Sequence, residues 1–591
     1  MNKIQNQKNK HYMPGLDGLR AISVLAVIAY HLNLKWAQGG LLGVGIFFVI
    51  SGYLITDQII NEWKGKQRFN LLNFWIRRFR RLLPAMLWML FCVGTWLLIF
   101  DLDRLLSLKG HFVSALFYVN NWWLIFNKVS YFESFGPPSP IGHLWSLSIE
   151  EQFYFIWPLF LVIGLTIVKR RSDLIKWILI AAALSAISMG WIYEPGTDPS
   201  RVYYGTDTRA FGLLIGATLA FIWPSKQLKQ RDQVPYQARL ILDVIGVVSL
   251  LITLILMVCT NKFNESLYPW GFVFLSFITA ILVAVLAHPA SIIGTMLGCK
   301  PLRWIGVRSY SLYLWHFPII ILSNTTNKEF SITHITIQLV FSFILASLSY
   351  KYIEEPFRRR NSKENPRSKW RLRRYYMRAI YLASILYSLF FLIIFRVYIT
   401  QIESKATANE EEILYVEEKI DTKEEKNVSK NFVYQDGAGI TVIGDSVIVG
   451  VAPYLEELLP GILIDGKVSR QMSQVEEIIK QLQTEGRLGE KIIIELGTNG
   501  PFNSNQLRNL LLSLHDKQVF IVNTRVPKDW QDNVNKVISE VAIEFQNTTI
   551  IDWYAASEGK ENYFYEDGVH LKPKGAEYYA SIILEAVKEN I

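Results

Sequence analysis

Eleven stretches of about 20 mostly apolar residues constrain this chain more than anything else in it. They lie at roughly 19–35, 40–60, 82–100, 147–168, 174–193, 205–224, 239–260, 268–287, 308–324, 334–352 and 378–399. In lipid, backbone polar groups must bond to each other, so such stretches become helices that cross a bilayer. The whole chain agrees: it is 51% hydrophobic over 591 residues, with a mean hydropathy of +0.21. A soluble chain of that length would alternate far more. The first apolar segment lacks a small-residue cleavage site and is followed at once by another, so it is expected to stay as an anchor. Residues 111–126 are a further apolar segment, read as interfacial or re-entrant; a span there would reverse the parity.

Charge sets the orientation. The net charge is +10, and the basic residues cluster at the ends of apolar segments. Arg68, Arg77, Arg78, Arg80 and Arg81 share one loop region; Lys169-Arg170-Arg171, Lys226 to Arg239, Lys300 to Arg308 and Arg358 to Arg378 follow in alternate loops. With eleven spans these fall on one face. The positive-inside bias then puts the N-terminus in the cytoplasm and the C-terminal tail outside. Nucleic acid is not the expected partner, because it would require a basic soluble face with stacking aromatics. Cys92 and Cys259 lie in apolar spans and Cys299 in a connecting loop, so neither a disulfide framework nor a Cys/His metal site is suggested.

Beyond the last span the composition changes. Residues 401–431 are rich in Glu and Lys and read as a linker. From 432 onward short apolar strands alternate with helical patterns: strands at 440–444, 462–464, 491–496, 518–523 and 549–552, helices at 447–459, 472–485, 503–515, 529–545 and 574–588. That is a parallel sheet with helices on both faces and a core of its own. Ile440 to Ile443 leads into Gly444-Asp445-Ser446-Val447. A serine between a strand and a helix is ordinarily a helix cap. Two later stretches change that reading: a second strand, Lys491 to Leu496, runs into Gly497-Thr498-Asn499, and Asp567-Gly568-Val569-His570 stands near the end. A serine hydroxyl needs a base to become a nucleophile, and His570 can supply it near neutral pH. Asp567 can hold the imidazole in the right tautomer. The Asn499 side chain and the Ser446 N–H can face a developing oxyanion. With these motifs in this order, residues 434–591 resemble an SGNH (GDSL-type) esterase/acyltransferase domain. The family's second oxyanion donor falls within Asp465 to Arg470, on the backbone N–H of Gly466 or Ser469.

Ionisable groups inside lipid are functional candidates by default. They are His31, the arginine cluster around Arg77, Glu150 and Glu151 in Ser146-Leu147-Ser148-Ile149-Glu150-Glu151, the stretch Tyr203 to Arg209, and His316 at the end of Ser309 to His316. The run Gly43 to Tyr53 is read as a close-packing surface. The opening Gly15-Leu16-Asp17-Gly18-Leu19-Arg20-Ala21, the Phe47 to Tyr53 run and these motifs together resemble the acyltransferase family 3 membrane domain over about residues 10–360. Joined to an SGNH domain, the architecture looks like the bacterial peptidoglycan O-acetyltransferases of the OatA type. The resemblance implies a cytoplasmic N-terminus (1–18), a polytopic all-α membrane domain (19–400), the linker, and an extracellular three-layer α/β domain (432–591) in a bacterial cell membrane. It implies transfer of acetyl from cytosolic acetyl-CoA to the 6-hydroxyl of N-acetylmuramic acid in peptidoglycan strands, which protects against lysozyme, with no permanently bound cofactor. On that scheme Arg77 and Arg80 meet the donor phosphates. His31, polarised by Glu150, helps move the acetyl group, and Tyr204, held by Asp207 and Arg209, relays it to Ser446. Competing readings are a related acyltransferase with another wall polymer or lipid-linked sugar as acceptor, a tethered acetyl esterase, and a transporter with a glycan-binding tail.

Overall fold

The computed structural model describes residues 12–66, 68–132, 138–262, 264–323, 332–358, 437–528, 530–565 and 567–589. The span expected at 378–399 and the linker expected at 401–431 lie outside them.

Helices occupy the other expected spans: Pro14–His31, Leu42–Lys66, Leu71–Phe100, Leu144–Ile167, Arg171–Ile192, Thr206–Ile222, Tyr236–Cys259, Phe272–Ala287, Ser309–Ser323 and Ile332–Ser349. Among the described residues seven helices are long and apolar enough to cross a bilayer, or up to eight if Lys300–Val307 and Ser309–Ser323, bent by 68°, form one span. Ten of the eleven expected spans fall on described residues, and seven or eight of those meet the length and hydropathy of a crossing. Thr206–Ile222 has only 17 residues, and Pro14–His31 carries Asp17 and Arg20 near its start and His31 at its end. Residues 111–126 are not one span. They form two short helices, Lys109–Leu116 and Asn120–Phe126, separated by Tyr118 in the left-handed region at φ 55°.

Small residues let these helices meet backbone to backbone. A Cβ on Gly52 would stand 1.9 Å from the Leu213 carbonyl oxygen, and one on Gly216 would stand 2.1 Å from that of Val49. Lipid gives little hydrophobic drive for helix association, so this close packing holds the pair together. The Val49 to Tyr53 part of the run is thus the seam between Leu42–Lys66 and Thr206–Ile222, while Gly43 packs against the Ser23 carbonyl of Pro14–His31.

The C-terminal unit is a five-stranded parallel sheet: β1 Ile440–Gly444, β2 Leu463–Gly466, β3 Lys491–Glu495, β4 Gln518–Val522 and β5 Thr548–Ile551, in the order β2-β1-β3-β4-β5. Strand alternation divides β1 between two cores: Val442 packs with Val451, Leu455 and Phe520, while Ile443 packs with Ile492, Ile494 and Ile538. Both cores draw only on residues 440–587, so this unit holds itself together. β1 lies where the strand order reverses, and the crevice beyond the strand ends at that point is where such sheets bind ligands.

Candidate active site

β1 ends at Gly444, and Asp445 caps the helix Ser446–Leu458 by accepting the Val447 N–H at 2.9 Å. The cap is Asp445, so the Ser446 hydroxyl is free of that duty. Ser446 Oγ lies 3.0 Å from His570 Nε2, and His570 Nδ1 lies 2.6 Å from Asp567 Oδ2. Asp567 also accepts the N–H groups of Val569 (2.9 Å) and His570 (3.0 Å), which fastens the loop to itself. Partial burial pulls the Asp567 carboxyl up. The hydrogen bonds from Val569 and His570 together outweigh this and hold it below its ordinary value. A carboxylate at Nδ1 fixes the proton there and leaves Nε2 as the base facing the serine.

The floor of the site is polar and buried. Asn499 Nδ2 donates to Asp445 Oδ2 at 2.8 Å, and the Thr498 hydroxyl donates to the same oxygen. This orients Asn499 beside the Ser446 turn. Glu495, 4% exposed at the end of β3, accepts the Asp445 N–H at 3.3 Å. Burial, then the neighbouring Asp445 carboxylate, push Glu495 well above the usual carboxylate range. Burial raises Asp445 as well. Both carboxyls of this buried pair are thus shifted toward their neutral form, Glu495 the more strongly. In the sequence nothing singles out Glu495 within the strand Lys491 to Leu496, and no local signal marks its partner 50 residues away.

Arg470 builds the turn that carries the two candidate oxyanion donors. Its buried guanidinium donates to the Gly444 carbonyl at 3.1 Å and to both the carbonyl and carboxylate of Asp465. Gly466 ends β2 in register with Gly444, and Ser469 sits in the left-handed region at φ 62°.

The helical unit has a cavity at each end. The larger, of about 990 Å³, is lined by Arg20, Arg77, Arg78, Arg81, Lys226 and Glu150 among others. Arg80 does not line it. On a helix turning about 100° per residue, positions 77, 78 and 81 share one face and 80 points away. The second cavity, of about 580 Å³, is lined by His31, Tyr131, Tyr204, Lys262 and Ser469 among others. Tyr12 and Met13 border the first and Tyr30 and His31 the second. The cavities thus sit at opposite ends of a helix about 27 Å long.

This separation corrects the expected Glu150–His31 pair. Glu150 accepts hydrogen bonds from Ser51 Oγ (3.1 Å) and the Tyr154 hydroxyl (3.2 Å) in the first cavity. His31 instead meets His316, Nδ1 to Nε2 at 2.8 Å, and the Tyr131 hydroxyl, Nε2 at 2.7 Å. His316 Nδ1 lies 3.1 Å from the Leu312 carbonyl, which can only accept. That sets the chain of tautomers: His316 donates to Leu312, His31 Nδ1 donates to His316, and His31 Nε2 accepts from Tyr131. Tyr131 was invisible in the sequence because it stands in a loop with no motif around it.

Tyr204 is 2% exposed and packs edge-on to Tyr131, with ring centroids 5.9 Å apart. Its expected supports are engaged elsewhere. Asp207 pairs with Arg201 at 2.8 Å, and Arg209 lies buried 3.8 Å over the Phe272 ring. Asn121 holds Tyr204 instead, donating to its carbonyl at 3.1 Å. A third cavity, of about 220 Å³, lies between the helical and sheet units. Leu124, Val129 and Tyr204 line both it and the second cavity, and of these only the tyrosine bears a hydroxyl.

Residues 13–351 match the acyltransferase domain family. The chain belongs to that family. Along its length this acyltransferase is similar to the peptidoglycan O-acetyltransferase OatA of Listeria monocytogenes, at 39% identity over 99% of this chain and 100% of that one. It is likewise similar to the O-acetyltransferase OatA of Staphylococcus aureus, at 37% identity over 99% and 98%. Among solved structures, the C-terminal catalytic domain of Streptococcus pneumoniae OatA, carrying a methylsulfonyl adduct, matches at 24% identity. That match covers 26% of this chain and 95% of that one, with a TM-score of 0.25.

In this membrane-integral acyltransferase a hydrogen-bonded wall separates the two end cavities. Ser146 and Tyr313, both lining the first, are joined hydroxyl to hydroxyl at 2.6 Å, and Tyr313 donates to the His143 carbonyl at 3.1 Å. Behind them His143 is fully buried beside His316. The arrangement supplies an arginine-lined chamber, an imidazole pair aimed at a phenol, and a serine with its base.

Proposed function

We propose that this enzyme is a peptidoglycan O-acetyltransferase that moves acetyl from cytosolic acetyl-CoA to the 6-hydroxyl of N-acetylmuramic acid, through an acetyl ester on Ser446. The observation that carries this reading is Tyr204, which among the described residues is the one hydroxyl-bearing side chain shared by the His31 cavity and the cavity between the helical and sheet units. The basic cavity faces the cytoplasm, as the charge bias requires. Its guanidinium groups receive the donor's phosphates, where planar forks bind well. The sheet unit lies outside, on the side of the second cavity.

Three transfers follow. The thioester arm of the donor must pass the Ser146–Tyr313 wall to reach Tyr204. The Tyr204 phenol then attacks the thioester carbonyl, the C–S bond breaks, and the phenol proton goes to the departing thiolate, with His31, bonded to Tyr131, as the base in that cavity. Ser446 then attacks the aryl ester, His570 taking its proton and returning it to the phenolate. Finally the muramic hydroxyl attacks acetyl-Ser446, and His570 moves that proton to the serine oxygen. Asn499, the Ser446 N–H and the Gly466 or Ser469 N–H face the oxyanion of the two steps at Ser446. The name of the Listeria relative supports peptidoglycan as the acceptor. The Ser446→Ala enzyme should stay in the membrane while 6-O-acetyl muramic acid disappears from digested wall glycan on mass analysis and the cells become sensitive to lysozyme. Normal acetylation would refute the scheme. Acetate release at the same rate with and without muropeptide would favour an esterase instead.

A further inference from the structure

Among the described residues, the polar contacts of the sheet unit with the helical unit come from the segments that follow β2 and β3, the two strands beside β1. Lys128 Nζ meets Glu477 Oε2 at 2.9 Å, and Asn503 Nδ2 donates to the Pro195 carbonyl at 3.1 Å. Gln471 Nε2 donates to Asp198 Oδ2 at 3.4 Å and to the Asn499 carbonyl at 3.0 Å. Ser469 reaches into the His31 cavity. The unit is therefore seated with its oxyanion side down.

Asp198 links this seat to the acyl-donor side. Its Oδ1 accepts from Ser200 N–H (3.0 Å) and Ser200 Oγ (2.5 Å) at the start of the short helix Ser200–Tyr204. Ser200 Oγ in turn accepts the Tyr131 N–H at 2.9 Å. One carboxylate thus anchors the backbone beneath both phenols with one oxygen and receives Gln471, the residue that holds the Asn499 carbonyl, with the other.

We propose that Asp198 and Gln471 form a latch that docks the sheet unit on the outer cavity, and that Ser446 is acylated only in this docked pose. The inference rests on the loading of Ser446 argued above and adds where and how it happens. In the docked pose the aryl ester C–O bond at Tyr204 breaks as the C–O bond at Ser446 forms, with no diffusion through water. The contact is built to be reversible. Its ion pair is solvent-exposed, a kind that adds little stability, its hydrogen bonds from Gln471 and Asn503 are few, and a cavity remains between the two units. The opposite flank of the site is open, with the His570 and Asp567 side chains 34% and 44% exposed. The glycan approaches from that side.

The test uses full-length protein in nanodiscs, given labelled acetyl-CoA, with label on the Ser446 peptide read by mass spectrometry in a single turnover. Hydrolysis of an aryl acetate from solution is measured in parallel and reports the triad alone. Asp198→Ala should slow loading of Ser446 at least tenfold and leave aryl acetate hydrolysis within twofold. Unimpaired loading in that variant would remove the latch. In a background lacking Cys92, Cys259 and Cys299, Lys128→Cys and Glu477→Cys joined by a short bis-maleimide should still load Ser446. A joined protein that cannot load, although its aryl acetate hydrolysis is intact, would show that the docked pose is not the loading pose. Wild-type protein that never labels Ser446 would instead overturn the reading beneath the latch, and the latch with it.

Discussion

The Ser446 hydroxyl is left to His570 because Asp445 does the capping, and Asp445 is held in that role by the Thr498 hydroxyl and Asn499 Nδ2. Glu495 is the residue that makes the floor of the site titrate in an unusual direction. Its carboxyl is raised in the fold by burial and by Asp445, whereas in the unfolded chain it titrates near about 4.3. The folded state therefore holds a proton that the unfolded chain gives up. The stabilisation is complete below the unfolded value and is lost as pH rises through the folded one. In the wild type, the melting temperature of the sheet unit should fall from acid toward alkaline pH relative to Glu495→Gln, which has no proton to lose. Parallel curves would mean that Glu495 is ionised in the fold. Asp567 works with the opposite sign: its depressed value adds stability above the unfolded value that is lost as pH falls through the folded one. On the membrane side, His316→Phe leaves His31 Nδ1 without its acceptor and frees the imidazole to change tautomer. Transfer from acetyl-CoA to Ser446 should drop by about 10²-fold, the usual worth of a positioned base, while aryl acetate hydrolysis stays unchanged. Equal loss of both activities would assign His316 to folding rather than transfer.

At the scale of elements, the sequence expectations were good where short-range pattern decides. Strands expected at 440–444, 491–496 and 518–523 are found at Ile440–Gly444, Lys491–Glu495 and Gln518–Val522, because buried β-branched runs between turns leave little choice. They were poorer wherever the rotation of a helix matters. The arginine cluster was legible, but which arginines face the cavity was not, and Arg78 and Arg81 take the place given to Arg80. The segment 111–126 was apolar enough to suggest an interfacial or re-entrant piece, yet it breaks into two helices, with Asn120 accepting the Ser114 hydroxyl across the break and Asn121 donating to Thr206. The helix seam is testable. Gly52→Val must push Leu42–Lys66 off Thr206–Ile222 and should cost about 1–3 kcal/mol, as overpacking does. It should show as a lowered unfolding temperature in detergent. Gly65→Ala on the same helix, where a Cβ meets nothing within 4 Å, should leave that temperature unchanged. Equal melting of the two variants would deny the seam its role.

For the whole molecule, the opposed cavities require opposed exposure. In a cysteine-free background, Ser581→Cys on the sheet unit should react with an impermeant thiol reagent on intact cells. Lys226→Cys beside the basic cavity should react only after the membrane is opened. The reverse pattern would invert the orientation. By itself the sequence determined where most helices and strands lie and which motifs bring serine, histidine and carboxylate side chains to the ends of those elements, since both follow from composition and periodicity over a few residues. Only the tertiary structure decided the partners: His31 with His316 across 285 positions, Ser446 with His570 across 124, Asp198 with Gln471 across 273. Such pairs depend on how helices cross and how each is turned about its axis. One residue of rotation, about 100°, moves a side chain from one cavity to another or into lipid, and no local pattern records that angle.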